Sequence, residues 1–154
     1  TARDDWQTPE NVLERVRACF DGEIGTDPCT TQDNPTRAAH WWIPESDGLA
    51  TNWSDDALTA FVNPPYSALL TWMRKCEEQA KLGCEVIALI PARTDTKAWH
   101  TCMSSASAFC MWRGRIKFVG AENGAPFPSS LIYWGTQPWK FEAAFWDVGK
   151  VVRL

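Results

Sequence analysis

Ala60-Phe61-Val62-Asn63-Pro64-Pro65-Tyr66 is the stretch on which the reading of this chain turns. A short apolar run leading into two prolines predicts a buried strand that ends in a tight, stiff turn. Each proline sets its own φ near −65° and removes a backbone donor. Each also drives the residue before it out of the helical region, so Asn63 is extended and the Pro64 carbonyl has a set direction. In an open α/β sheet, a turn at a strand's carboxyl end is where ligands bind. Two readings of the turn stand side by side. In one, the Asn63 side-chain oxygen and the Pro64 carbonyl accept both N–H bonds of a planar amine. They would draw its lone pair out of conjugation and hold it in line with an electrophile, with Tyr66 offering a π face. In the other, Asn63 to Tyr66 is a rigid Asx-Pro-Pro turn with Tyr66 packed on the core.

The surrounding chain narrows the class. Its 154 residues suit one domain spanning 1–154, a length that buries about two-thirds of the unfolded surface. A formal charge of −4 gives no global basic field, so any nucleic-acid contact must use a local patch. The six cysteines contain no Cys-x-x-Cys pair, and His40 and His100 lie far apart. A metal site is therefore not expected, and the thiols read as reduced core residues of a cytoplasmic protein. No signal peptide or membrane span is read; the longest apolar run, Val86 to Ile90, is strand-sized. Ten tryptophans exceed ordinary usage and predict aromatic core and pocket walls.

Working outward, Thr8 is read as an N-cap, with Pro9 at the first helical position and Glu10 favouring the positive helix end. Val12, Leu13, Val16 and Phe20 then mark one helical stripe. That helix start is either a plain cap or a seat for an anion such as a carboxylate. Glu23 to Cys29 reads as a strand ending in an acidic turn, and Ala38 to Trp42 as another. After the Asn-Pro-Pro-Tyr turn comes a helix with Leu69, Leu70, Trp72, Met73 and Cys76 inside and Arg74, Lys75, Glu77 and Glu78 outside. Cys84 to Ile90 is a strand, 95–104 a helix and Ala108 to Trp112 a strand. A hairpin is predicted from Arg115 to Val119 and Ser130 to Trp134 around loop 120–128, and a final β-like pair from Phe141 to Trp146 and Lys150 to Leu154. The alternation predicts an α/β fold, a mostly parallel sheet with antiparallel edge strands.

The order Trp-x-Thr-Pro, Asp-Pro-Cys, Asp-Gly-Leu, Asn-Pro-Pro-Tyr, Pro-Ala-Arg-Thr-Asp-Thr, Gly-Arg-x-Lys-Phe and Ala-Pro-Phe-Pro-Ser, from Asp5 to about Trp134, resembles the small phage-type (Dam-like) DNA adenine N6-methyltransferases. Asn-Pro-Pro-Tyr alone is shared with other amine and amide methylating families; the later blocks make the likeness specific. The resemblance implies a compact Rossmann-like fold without a separate target-recognition domain. It also implies S-adenosylmethionine as methyl donor, S-adenosylhomocysteine as product, no metal, and double-stranded DNA as partner. By the same likeness, Trp6, Thr8 and Pro9 hold the cofactor's methionine end. Asp27, Pro28 and Cys29 form the first cofactor loop, and Asp47 meets the cofactor's adenine amino group. Asn63, Pro64, Pro65 and Tyr66 make the catalytic turn, and Phe118 packs on a flipped target base. Where related enzymes with larger domains carry a glycine-rich loop, this chain reads Thr30-Thr31-Gln32-Asp33, whose side chains restrict backbone approach. The interval from Asp27 to Asn63 is short for two β-α units.

For the polynucleotide, Arg113, Arg115 and Lys117 alternate along the expected strand and would share a face, with Arg93 and Lys97 at another strand end. Those charges serve either DNA contact or protection of a sheet edge. Two rival functions follow from the same residues: methylation of an RNA base or a protein glutamine, and a non-catalytic nucleic-acid-binding relic.

Overall fold

Residues 6–55 and 57–154 are described by a computed structural model; Asp5, where the motif resemblance begins, lies outside them. The chain forms α1 (Glu10–Cys19), β1 (Thr26–Asp27), β2 (His40–Trp41), β3 (Thr59–Val62), α2 (Leu69–Lys81), β4 (Glu85–Pro91), α3 (Lys97–Ser105), β5 (Ala108–Trp112), β6 (Ser129–Trp134), α4 (Pro138–Phe145) and β7 (Gly149–Arg153). The strands build one seven-stranded sheet in the order β2-β1-β3-β4-β6-β5-β7. Strands β1, β2, β3 and β4 are mutually parallel, β6 runs against both β4 and β5, and β7 runs against β5. The result is a mixed α/β protein in which β6 and β7 oppose the direction of the rest.

Alternation along β4 shows why the sheet is sandwiched. Ile87 and Leu89 join one core with α1, Phe61, Leu131, Tyr133 and Phe141. Val86, Ala88 and Ile90 join the other with Trp53, Trp72, Met73, Trp99 and Ile132. A strand covered on both faces needs apolar residues at every position, so its sequence reads as a continuous run rather than an alternation.

Several expectations are corrected. Thr8 does not cap α1: Pro9 is the N-cap, its carbonyl accepting from the Val12 and Leu13 amides at 3.1 and 3.2 Å. Arg115 to Val119 is not a strand and makes no hairpin. It runs between Gly114 and Gly120, both at positive φ, while β6 takes its partners from β4 and β5. Every residue of β6 is buried, so this antiparallel strand sits inside the sheet rather than at an edge. Phe141 to Phe145 is helical. Pro138 lies in the first turn of α4, and Phe141, Ala144 and Phe145 recur at helical spacing onto the core. Phe141 stacks on Tyr133 at 5.2 Å. Finally, Lys75 is buried, with Nζ 5.9 Å from the Trp53 ring centroid. The segment around Trp53 folds over α2, and buried Gln79 accepts from the Trp53 amide at 2.8 Å. No sequence period announces that cover.

The connection from β1 to β2 contains no helix. Asn34 braces it by donating to the Ala38 carbonyl and accepting from the Ala38 amide. The absent helix leaves space over the carboxyl ends of β1 and β3.

Candidate active site at the carboxyl ends of β1 and β3

A cavity of about 480 Å³ opens there. Trp6, Thr8, Asp27, Pro28, Cys29, Asp47, Asn63 and Pro65 all line it, so segments far apart in sequence converge on it. Pro9, Pro64, Tyr66, Phe118, Arg93, Arg115 and Lys117 do not line it. Sequence reasoning missed Thr36, Ile43, Pro44 and Leu49 in the wall, and read Trp72 as core only. Those residue types carry no ligand signature by themselves; only the fold of the irregular 28–50 segment brings them in.

Strand β3 delivers Asn63 to the cavity, and neighbouring segments then fix it. Its Nδ2 donates to the Thr8 hydroxyl at 3.0 Å and to the Trp6 backbone carbonyl. Its own carbonyl accepts from the Cys29 thiol at 3.4 Å. Among the described residues no hydrogen-bond donor meets Asn63 Oδ1 or the Pro64 carbonyl. Among the described residues the turn therefore holds two acceptors that no donor engages, a pair whose chemistry suits a primary amine.

At the end of β1, Asp27 is buried. Thr36 Oγ1 donates to Oδ2 at 2.7 Å, and the Cys29 amide donates to Oδ1 at 3.3 Å. Burial pushes the carboxyl up to about 6, with hydrogen bonds from Thr36, Cys29 and Thr30 opposing the rise. A carboxylate withheld from water in this way attracts a cation. Asp47 stands at the exposed rim with φ +53. Next to it, Gly48 packs so closely that a Cβ would lie 1.9 Å from the Pro28 carbonyl oxygen. The Trp53 indole donates to the Gly48 carbonyl at 2.9 Å, which ties to Trp53 the segment that packs on Pro28.

Beyond the turn lies a second aromatic group. Trp6 contacts Phe118 at 5.2 Å and Phe127 at 5.9 Å, and Tyr66 meets Phe127 edge-on at 5.4 Å. Phe118 is buried beneath these rings. The exposed Arg93 places its guanidinium 5.6 Å from the Phe127 centroid. Burial pushes the Tyr66 phenol up, with Arg93 opposing; its hydroxyl has no hydrogen-bond partner among the described residues. Phe127 was not singled out from sequence, although it stands in the Ala-Pro-Phe-Pro-Ser block. Arg115 and Lys117 point outward while Ile116 and Phe118 point in, so the alternation expected of a strand survives in an irregular segment.

All six cysteines are free, and only Cys29 is not fully buried. Among the described residues no cluster of His, Cys, Asp and Glu has the makings of a metal site, and no helix is long and apolar enough to cross a membrane.

An α/β sheet with an Asn-Pro-Pro-Tyr turn beside a nucleoside-sized cavity has the form of a methyltransferase-like protein. Comparison with known proteins carries this further. The profile described as DNA N-6-adenine-methyltransferase (Dam) matches residues 1–131, and the chain belongs to that family. It is also similar to the DNA N-6-adenine-methyltransferase of Escherichia phage T1. The two are 25% identical over 138 residues, which cover 79% of this chain and 56% of the phage protein. The chain thus spans little more than half the length of that relative.

Proposed function

We propose that this chain transfers a methyl group from S-adenosylmethionine to the N6 amino group of adenine in double-stranded DNA. The observation that carries this reading is the Asn63 turn. It presents, beside the 480 Å³ cavity, two acceptors that no donor among the described residues engages, and the side-chain amide is tied down through its nitrogen. We read the sheet as a reduced Rossmann-like methyltransferase fold of one domain.

The residues present suit the cofactor. The cavity falls within the roughly 300–1,000 Å³ typical of small-molecule sites. Asp27 offers a buried carboxylate to an ammonium group, Asp47 at the rim accepts from an amino group, and Ile43, Leu49 and Trp72 supply apolar walls. Thr30 and Thr31 take the place of glycines, and the helix-free crossover supplies the room their side chains need. When bound, S-adenosylmethionine supplies an already activated methyl group. Asn63 Oδ1 and the Pro64 carbonyl accept the two N–H bonds of the target amine and stabilise the positive charge it gains. No strong base is required, because the proton can leave the product after transfer. Trp6 and Tyr66, the partly exposed rings of the group, provide the stacking surface that a flipped base needs, with the buried Phe118 and Phe127 packed behind them and Arg93 at the edge. Arg93, Arg115 and Lys117 meet the phosphates.

The test is incubation with methyl-labelled S-adenosylmethionine and duplex DNA free of adenine methylation, followed by digestion to nucleosides. Label in N6-methyladenine is expected. Label only in RNA or protein supplied in parallel would reassign the substrate, and no cofactor binding at all would mark a non-catalytic binding protein.

A further inference from the structure

The motif resemblance gives Thr8 to the cofactor, but in the structure its hydroxyl has another task. Thr8 is 8% exposed and makes no capping hydrogen bond to α1. Its oxygen accepts one Asn63 amide proton at 3.0 Å, while the Trp6 carbonyl accepts from the same nitrogen. A primary amide has two N–H bonds, and here an acceptor is provided for each. Reversing the amide would set Oδ1 against the Trp6 carbonyl oxygen and lose that bond, and would force the Thr8 hydroxyl to turn from acceptor to donor. We propose that Thr8 is a positioning residue: with the Trp6 carbonyl it clamps the Asn63 amide so that Oδ1 faces the target amine. The clamp also explains why this turn carries an amide rather than a carboxylate. An aspartate at position 63 would keep an acceptor for the substrate but press a second oxygen against the Trp6 carbonyl. Having accepted from Asn63, the Thr8 hydroxyl still has its one proton to give to an acceptor in the cavity.

This proposal rests on the reading of Asn63 as the acceptor of the target amine, and its test separates the two. Hydrogen exchange of the Asn63 side-chain amide is measured by nitrogen-15 resonance on the protein alone, the signal being identified by its loss in Asn63→Ala. Exchange at least tenfold slower than for an exposed asparagine is expected in the wild type and in Thr8→Ser, and faster exchange in Thr8→Val. Wild-type exchange at the exposed rate overturns the clamp, whether or not the protein methylates DNA. Turnover then tests its role through a double-mutant cycle. Thr8→Val is expected to lower kcat about five- to fiftyfold with the cofactor Kd within twofold, and Thr8→Ser to restore it. In an Asn63→Ala background the same change is expected to cost less than twofold. Equal losses in both backgrounds, or a change in cofactor Kd alone, would return Thr8 to cofactor binding and overturn the positioning role. A wild type with a protected amide but no N6-methyladenine would sink the functional reading and the role with it. Thermal melts of each variant separate these effects from misfolding.

Discussion

On the proposed function, Asp27 would couple folding to ligand binding through one side chain. Its pKa is raised above the unfolded value by burial, so the folded state holds a proton that the unfolded chain has already released. Asp27 therefore favours folding most below about pH 4, and that contribution is lost as pH rises towards 6. Ionised at pH 7, it costs on the order of 3 kcal/mol. Asp27→Asn should raise the pH 7 melting temperature and flatten the stability profile between pH 4 and 7; an unchanged profile would show that Asp27 is not buried as described. Cofactor affinity should move the other way. It should weaken as pH falls through about 6, because the neutral acid no longer attracts an ammonium group, and titration calorimetry across that range would reveal it.

Among the elements, the loops around the cavity depend on one close contact. A Cβ on residue 48 would collide with the Pro28 backbone, which cannot rotate away as a flexible side chain could. Gly48→Ala should destabilise the fold by about 1–3 kcal/mol and weaken cofactor binding by displacing Asp47. Binding unaffected at full folding would separate the loop from the site. Helix α4 depends on Phe141, which is fully buried, whereas Trp146 is 68% exposed. Phe141→Ala should cost about 3–5 kcal/mol in chemical denaturation, and Trp146→Ser no more than about 0.5. A strand at this position would have turned Ala144 outward together with Trp146, whereas the helix buries Ala144 beside Phe141 and Phe145.

At the scale of the whole molecule, a chain of charge −4 would, on the proposed function, approach DNA against its average field. The outward row of Arg115 and Lys117, with Arg93 beside the aromatic group, is the local exception. Each phosphate contact contributes about 0.9 to the slope of log affinity against log salt. Replacing Lys117 by alanine should therefore reduce that slope by about one, with similar loss on every duplex sequence. Val119→Ser, in the same segment but uncharged, should leave the slope unchanged. An unaltered slope for Lys117→Ala would remove this segment from the interface and return its charges to solvation.

Period and turn chemistry were legible in the sequence. The apolar run of β4, the stripe of α1 and the residues of β5 stood where the amino acids placed them, because each is a local pattern imposed by backbone geometry. So did the Asn-Pro-Pro-Tyr turn at the carboxyl end of β3. What local pattern does not carry was decided by tertiary structure. Arg115 to Val119 has the alternation of a strand yet pairs with no sheet, since β4 and β5 offer β6 longer ladders. Phe141 to Phe145 satisfies both strand and helix preferences, and packing on Tyr133 and α1 selects the helix. Thr8 has the chemistry of a cap, but a hydroxyl 55 positions from Asn63 in sequence lies 3.0 Å from it in space. Hydrogen bonds and burial between distant segments depend on where the chain returns, and only the folded structure holds that information.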